Sequence, residues 1–304
     1  MNNEMCKPYV VSADAQGLLT QWSRKTGYTL PEADYFQGML KDLESTLQEY
    51  FSDVNIVPEE YLRAGLRQLA SENNQPTISL DRVYVDKNDK NIVGFLDTTR
   101  SVNEKLENTG LVSRNEIDID NQIKQLSKQN KGREITLLDD VIFGGNTMLE
   151  IVNKFREQNI RISRVIAGIA IQEGIDLLNK EQVQVIPLFT YGQVIDEICE
   201  RDFVAGTPDS GRTIVINGKR YGAPYILPFG KPIEWASIPE DKAKDFSLFS
   251  LTQSINLWKR IERESSANVS TIALAKPVYG LSEETSITKA LEQAREQLKN
   301  GGSV

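Results

Sequence analysis

Four short apolar runs, "NIVGFLDT" (Asn91–Thr98), "ITLLDDVI" (Ile135–Ile142), "RVIAGIAI" (Arg164–Ile171) and "VQVIPLFTY" (Val183–Tyr191), alternate with stretches of helical periodicity. No other feature constrains the fold as strongly. Between the runs, Ile119, Ile123 and Leu126 share one face of a helix, and Met148, Ile151, Val152 and Phe155 share another. β-rich runs separated by amphipathic helices require crossover connections, so the expected core is α/β with a mainly parallel sheet flanked by helices. Ligands of such sheets sit outside the carboxyl ends of the strands.

The flanking segments read differently. Phe36, Met39, Leu40, Leu43, Leu47 and Phe51 recur at three- and four-residue steps between Pro31 and Phe51, and a second helix is expected from Pro58 to Ala70 with Tyr61, Leu62, Leu66 and Leu69 inward. The polar run "SENNQPT" (Ser71–Thr77) is a loop by composition. Beyond Arg201 the chain is rich in Gly and Pro, with Asn217-Gly218 marking a hairpin, and helices are expected over Lys242–Ser265 and Thr285–Leu298 before a loose "NGGSV" end. The resulting division is a helical N-terminal lobe over residues 1–75, an α/β core over 76–200, and an irregular α+β hood and extension over 201–304.

Composition removes several classes of function. The balance of 35 basic against 43 acidic residues, net −8, speaks against general binding to nucleic acid or to an anionic membrane, so any phosphate site must be local. There is no histidine, which excludes imidazole bases, Ser-His and Cys-His pairs and histidine metal ligands. Cys6 and Cys199 are too few and too far apart for a disulfide scaffold or a cysteine zinc site. No stretch approaches about 18 consecutive apolar residues, and a cytoplasmic location is expected.

The stretch "ITLLDDVIFGGNT" (Ile135–Thr147) carries the chemistry. The glycines suit a tight strand-to-helix turn, and "TMLE" (Thr147–Glu150) has the spacing of a capping box, so part of it needs no ligand. Asp139 and Asp140 are another matter, because adjacent carboxylates at the end of an apolar strand repel each other and resist desolvation. Sugar hydroxyls or magnesium would compensate them. A Walker B strand lacks its GxxxxGK[ST] partner here, and no GxGxxG follows any candidate strand. Backbone amides of Phe143, Gly144, Gly145, Asn146 and Thr147, at the positive end of the following helix, would suit a phosphate.

A hydrophobic strand, two acidic residues, two apolar residues and a small-residue loop ending in G-x-T resemble the phosphoribosyl pyrophosphate signature of the type I phosphoribosyltransferases. Asp139, Asp140, Val141, Ile142, Gly145 and Thr147 match it, and Phe143 and Gly144 depart from the small or hydroxyl residues usual there. The resemblance, covering Asn91–Tyr191, implies a phosphoribosyltransferase-like fold and a divergent member of the family. It implies transfer of ribose 5-phosphate to or from a nitrogenous base, with magnesium (Mg2+) held through substrate oxygens and water. It also implies Asp139 and Asp140 on the ribose, the loop on the 5'-phosphate, and a possible homodimer. Arg100, in "VGFLDTTRS", is the candidate for a pyrophosphate contact, and "SVNEKLENTGLVSRN" with Lys105 and Arg114 the candidate mobile loop. In "ERDFVAGTPDSGRT", Phe203 is the candidate to stack on a base, and Asp209, Ser210 and Arg212 to recognise its edge or a phosphate. Two rivals stand beside this reading: a non-catalytic sensor of phosphoribosyl pyrophosphate or a nucleotide that signals to a partner, and a hydrolase of a ribosyl bond. The base is not legible.

Overall fold

A computed structural model describes residues 7–301. Cys6 and residues 302–304 of the terminal "NGGSV" lie outside the described residues. In chain order the first elements are β1 (Tyr9–Ser12), α1 (Ala15–Thr26), α2 (Ala33–Gln48), β2 (Val54–Val57), α3 (Glu59–Glu72), β3 (Thr77–Ser79), β4 (Ile92–Phe95), β5 (Thr99–Val102) and β6 (Asn108–Val112). The middle of the chain forms α4 (Ile119–Gln129), β7 (Glu134–Ile142), α5 (Asn146–Glu157), β8 (Arg161–Ile171), α6 (Gln172–Lys180), β9 (Gln184–Tyr191) and β10 (Asp196–Cys199). Then follow β11 (Arg212–Ile216), β12 (Lys219–Ala223), α7 (Pro232–Ala236), α8 (Ala243–Ser265) and α9 (Ile287–Lys299).

The chain is α/β, with a parallel five-stranded sheet flanked by helices and both parallel and antiparallel pairing elsewhere. Its compact units do not follow three consecutive segments. Unit 1 gathers residues 7–56, 100–110 and 195–301, and unit 2 gathers 57–99 and 111–194. The N-terminal segment does not form a lobe of its own because β1 pairs in parallel with β10, far along the chain. The helix expected from Pro58 goes to unit 2 as α3.

Unit 2 holds a five-stranded, wholly parallel sheet in the order β4-β3-β7-β8-β9. Counted within the unit, that is strand order 2-1-3-4-5, so the winding reverses between β3 and β7. One face is covered by α4, α5 and α6, whose Ile123, Leu126, Met148, Ile151, Phe155 and Leu178 bury against Ile78, Leu137 and Val165. The opposite face takes α3, where Gly65 and Gly168 create room: a Cβ on Gly65 would sit 2.2 Å from Leu188, and one on Gly168 would sit 2.9 Å from Leu62. Both faces are therefore covered along β7 and β8, which explains why these central strands read as continuous apolar runs rather than as alternating ones.

Unit 1 holds a three-stranded sheet, β10-β1-β2, and a four-stranded one, β12-β11-β5-β6. The Asn217-Gly218 hairpin is present, with both residues at positive φ between β11 and β12. α8 organises this unit's core. Phe246, Leu251, Ile255, Trp258 and Ile261 are buried along it, and its serines serve loops: Ser254 Oγ accepts from the Ala205 amide at 2.9 Å, and Ser247 Oγ from the Leu227 amide at 2.9 Å. Among the described residues no helix is long and apolar enough to cross a membrane.

Candidate functional site

In a doubly wound sheet the loops that leave the two strands flanking the reversal diverge to opposite faces and open a crevice at the strands' carboxyl ends. In unit 2 those strands are β3 and β7, so by this rule the expected crevice is between the loop from Leu80 onward and the segment Asp139–Gly145. The quoted acidic strand therefore stands at the position where such sheets take their ligands.

Asp139 and Asp140 form the last part of β7, each half-buried. Asp139 Oδ1 accepts from the Asp140 amide at 3.1 Å, and Asp140 Oδ1 from the Val141 amide at 2.9 Å. Burial pushes the Asp139 carboxyl well above the ordinary carboxylate range, and the neighbouring Asp140 and Asp81 push it further. That is the behaviour expected of a carboxylate waiting for donors.

Past Ile142 the chain turns through Phe143, Gly144 and Gly145 into α5. Gly145 takes the helix N-cap position at φ +78, a left-handed conformation that glycine adopts without strain. The loop rests on the start of α6, where a Cβ on Gly174 would sit 2.3 Å from the Phe143 carbonyl oxygen. The capping box expected at Thr147–Glu150 does not form, because the N-cap falls two residues earlier, at Gly145, so that the helix begins at Asn146 and no side chain caps it. Thr147 thus lies in the first turn, and the first amides of α5 depend on water or a ligand for partners. Asn146 and Thr147 are exposed. So is Phe143, at 41%, which does not tuck beneath the loop. An exposed carboxylate also borders it, since Glu173 Oε1 would be 3.7 Å from a Cβ on Gly144.

The other wall of the crevice was not legible in the sequence. β3 has only three residues, too short to show a period, and it begins at Thr77, the last residue of the stretch expected to be a loop. Its following turn is built by Asp81, which is buried and accepts from the amides of Val83 (2.9 Å), Tyr84 (2.8 Å) and Val85 (3.2 Å). Arg82 then reaches Asp97, two residues past β4, donating from Nη2 to Oδ2 at 2.9 Å, and its guanidinium covers Phe95 at 4.3 Å. Asn115 donates to the same Oδ2 at 2.7 Å, and Gln122 Oε1 accepts from the Asp97 amide at 2.9 Å. The available signal was the acidic residue following "TISL".

Most of the remaining candidates fall in unit 1. Arg100 belongs to β5, not to the end of β4, so it is not part of the unit that holds Asp139 and Asp140. The expected mobile loop is instead β6 and an ordered turn, in which Asn103 Oδ1 accepts from the amides of Lys105 (2.9 Å) and Glu107 (3.0 Å). Lys105 and Arg114 fall in different units. Phe203 is a core residue, 2% exposed and edge-on to Phe246 with ring centres 4.9 Å apart; an apolar ring there packs the unit and offers no face for a base. Asp209 is half-buried at φ +59, Ser210 is buried, and Arg212 is half-buried over Trp235 at 4.5 Å. Arg201 is a structural ion partner of buried Asp14. Cys199 is a buried free thiol.

No family model matches the sequence, and no curated protein matches it. Among solved structures, the chain is similar to Leishmania donovani UMP synthase at TM-score 0.30 and 13% identity, over 45% of this chain and 28% of that one. It is similar to the adenine phosphoribosyltransferase of Giardia lamblia complexed with 9-deazaadenine at TM-score 0.30 and 12% identity, over 44% and 80% of the two chains. Mycobacterium tuberculosis H37Rv orotate phosphoribosyltransferase in complex with inorganic phosphate matches at TM-score 0.27 and 10% identity, over 42% and 68%. The chain thus spans little more than a quarter of the UMP synthase chain. The assignment of an α/β fold rests on the sheet order and register themselves.

Proposed function

We propose that unit 2 binds phosphoribosyl pyrophosphate with magnesium and that the protein transfers ribose 5-phosphate to or from a nitrogenous base. One observation carries the reading: a half-buried carboxylate pair at the sheet's reversal point leads directly, through a left-handed glycine, into a helix start that no side chain caps. Asp139 and Asp140 accept hydrogen bonds from the ribose hydroxyls, which relieves the mutual repulsion and desolvation that raise Asp139. Amides of the Gly144–Thr147 segment, with the dipole of α5 behind them, take the 5'-phosphate.

Among the described residues no three carboxylate, histidine or cysteine side chains are gathered to hold a metal. Magnesium therefore fits through pyrophosphate oxygens and water, where it supplies neutralisation of the departing charge. The protein's own part is orientation and charge stabilisation, with no imidazole required. A second reading, binding without turnover, is favoured by the strand and turn found where a closing loop was expected.

Calorimetry of phosphoribosyl pyrophosphate with magnesium tests the site, using wild type and Asp140→Asn with circular dichroism to verify folding. Wild-type binding that weakens at least tenfold in the variant supports it; no binding by folded wild type sinks it. Pyrophosphate release on adding adenine, guanine, hypoxanthine, uracil or orotate then separates an enzyme from a sensor.

A further inference from the structure

Unit 1 carries a second charged cluster that the reading of unit 2 does not use. β5 and β11 are adjacent and parallel, with Ser101 opposite Thr213 and Val102 opposite Ile214. One step earlier, the same register sets Arg100 beside Arg212. The two-residue period of a strand puts both arginines on the face that buries Val102 and Ile214 in the core. Like charges side by side on neighbouring strands are unfavourable unless their surroundings compensate.

Those surroundings are unusual. The Tyr225 ring centre lies 5.9 Å from the guanidinium carbon of Arg100 and 5.8 Å from that of Arg212, so one buried phenol serves both cations. Trp235 supports Arg212 from another side. Asp196, Glu197 and Asp202 are close enough to perturb or be perturbed by these cations, and Tyr225 and Asp202 help hold Arg100 in its charged form. Arg100 still keeps an exposed surface. Arg212 Nε and, two residues earlier, Ser210 Oγ are buried with no hydrogen-bond partner. A buried donor without an acceptor is a cost that a ligand can remove.

The loop presenting these groups is held in place. Gly206 (φ +90) lies against Trp258, where a Cβ would meet the indole at 2.9 Å, and Gly211 (φ +70) lies against Ala223, where a Cβ would meet the carbonyl oxygen at 2.0 Å. The Gly211 amide donates to Asp202 Oδ1 at 2.8 Å. Arginine forks match phosphate oxygens, and the neighbouring carboxylates match hydroxyl donors.

We propose that Arg100, Arg212 and Ser210 form the anion-binding end of a second ligand site, within unit 1, that takes the phosphate of a phosphorylated sugar, with Glu197 and Asp202 as acceptors for its hydroxyls. The site stands independently of the reading of unit 2. Ribose 5-phosphate without magnesium is the probe, titrated calorimetrically into the full chain carrying Asp140→Asn, so that binding at the β7 loop is already impaired. One site is expected to remain. Adding Arg100→Gln, an exposed position where folding should survive, should weaken it at least tenfold; Ser210→Ala should weaken it less, and Arg100→Lys should retain part of it. The proposal is overturned if the Asp140→Asn protein binds no ribose 5-phosphate, or if Arg100→Gln and Ser210→Ala bind as tightly as their parent. Failure of the unit 2 reading is separately visible, as equal binding of phosphoribosyl pyrophosphate by wild type and Asp140→Asn.

Discussion

Gly144 and Gly145 are adjacent, yet the structure assigns them opposite responses to the same added methyl. Gly145 sits at φ +78, where a non-glycine residue costs roughly 1–2 kcal/mol, and its Cβ would press on the Gly174 Cα and carbonyl oxygen at 3.1 Å. At about 2–4 °C per kcal/mol for a domain of this size, Gly145→Ala should lower the melting temperature by about 2–8 °C. Gly144 is outside the left-handed region, and its Cβ would find Glu173 Oε1 at 3.7 Å and Asn146 Nδ2 at 3.8 Å, ordinary contact distances. Alanine there also restricts the unfolded chain, a gain of about 0.4–1 kcal/mol, so Gly144→Ala should melt about 1–4 °C higher. The same methyl occupies space that a phosphate needs to approach the loop amides, so binding of phosphoribosyl pyrophosphate should weaken at least tenfold although the protein is more stable. Melts by circular dichroism and calorimetric titration of both variants make the test. A Gly144→Ala protein that binds as wild type does would refute the close-approach argument; one that melts lower than Gly145→Ala would refute the geometry of the turn.

Two further outcomes follow from the site and the core. Asp139 has its carboxyl raised by burial and by Asp140, so folding favours its protonated form: the penalty is absent below the ordinary carboxylate range, grows as pH rises toward the raised folded value, and is fully present above it. Asp139→Asn should therefore raise the melting temperature at pH 7–8 but change it little at pH 3–4, while ribosyl binding falls; an equal effect at both pH values would contradict the assignment. Phe203→Ala should cost about 3–5 kcal/mol in urea unfolding, as for other buried aromatics, and a loss under about 1 kcal/mol would mean that the ring is not a core group.

Much of the architecture follows from local pattern. β7 and β8 were visible as apolar runs because both of their faces are covered, and α2, α4, α5 and α8 because each buries a stripe at helical spacing. β1, β3 and β10 have three or four residues each and show no period of their own; they are strands because distant partners complete their hydrogen bonds. The same gap hid half of the candidate site. Asp139–Thr147 is contiguous and could be read directly, whereas Asp81 and Arg82 join it only through the β3-β7 pairing. Phe203 looked available because it lies in a Gly/Pro loop, but burial is decided by what packs over a residue, here Phe246 on α8.

By itself, the sequence determined an α/β chain without imidazole chemistry, with a carboxylate pair at the end of one strand and a glycine turn suited to an anion, since these depend only on residue type and near-neighbour spacing. Tertiary structure alone decided that residues 7–56 and 195–301 belong to one unit, that the β7 loop stands at a sheet reversal, and that Arg100 lies beside Arg212. The reason is physical: parallel pairing joins residues separated by whole crossovers, and no local preference specifies which strands will meet.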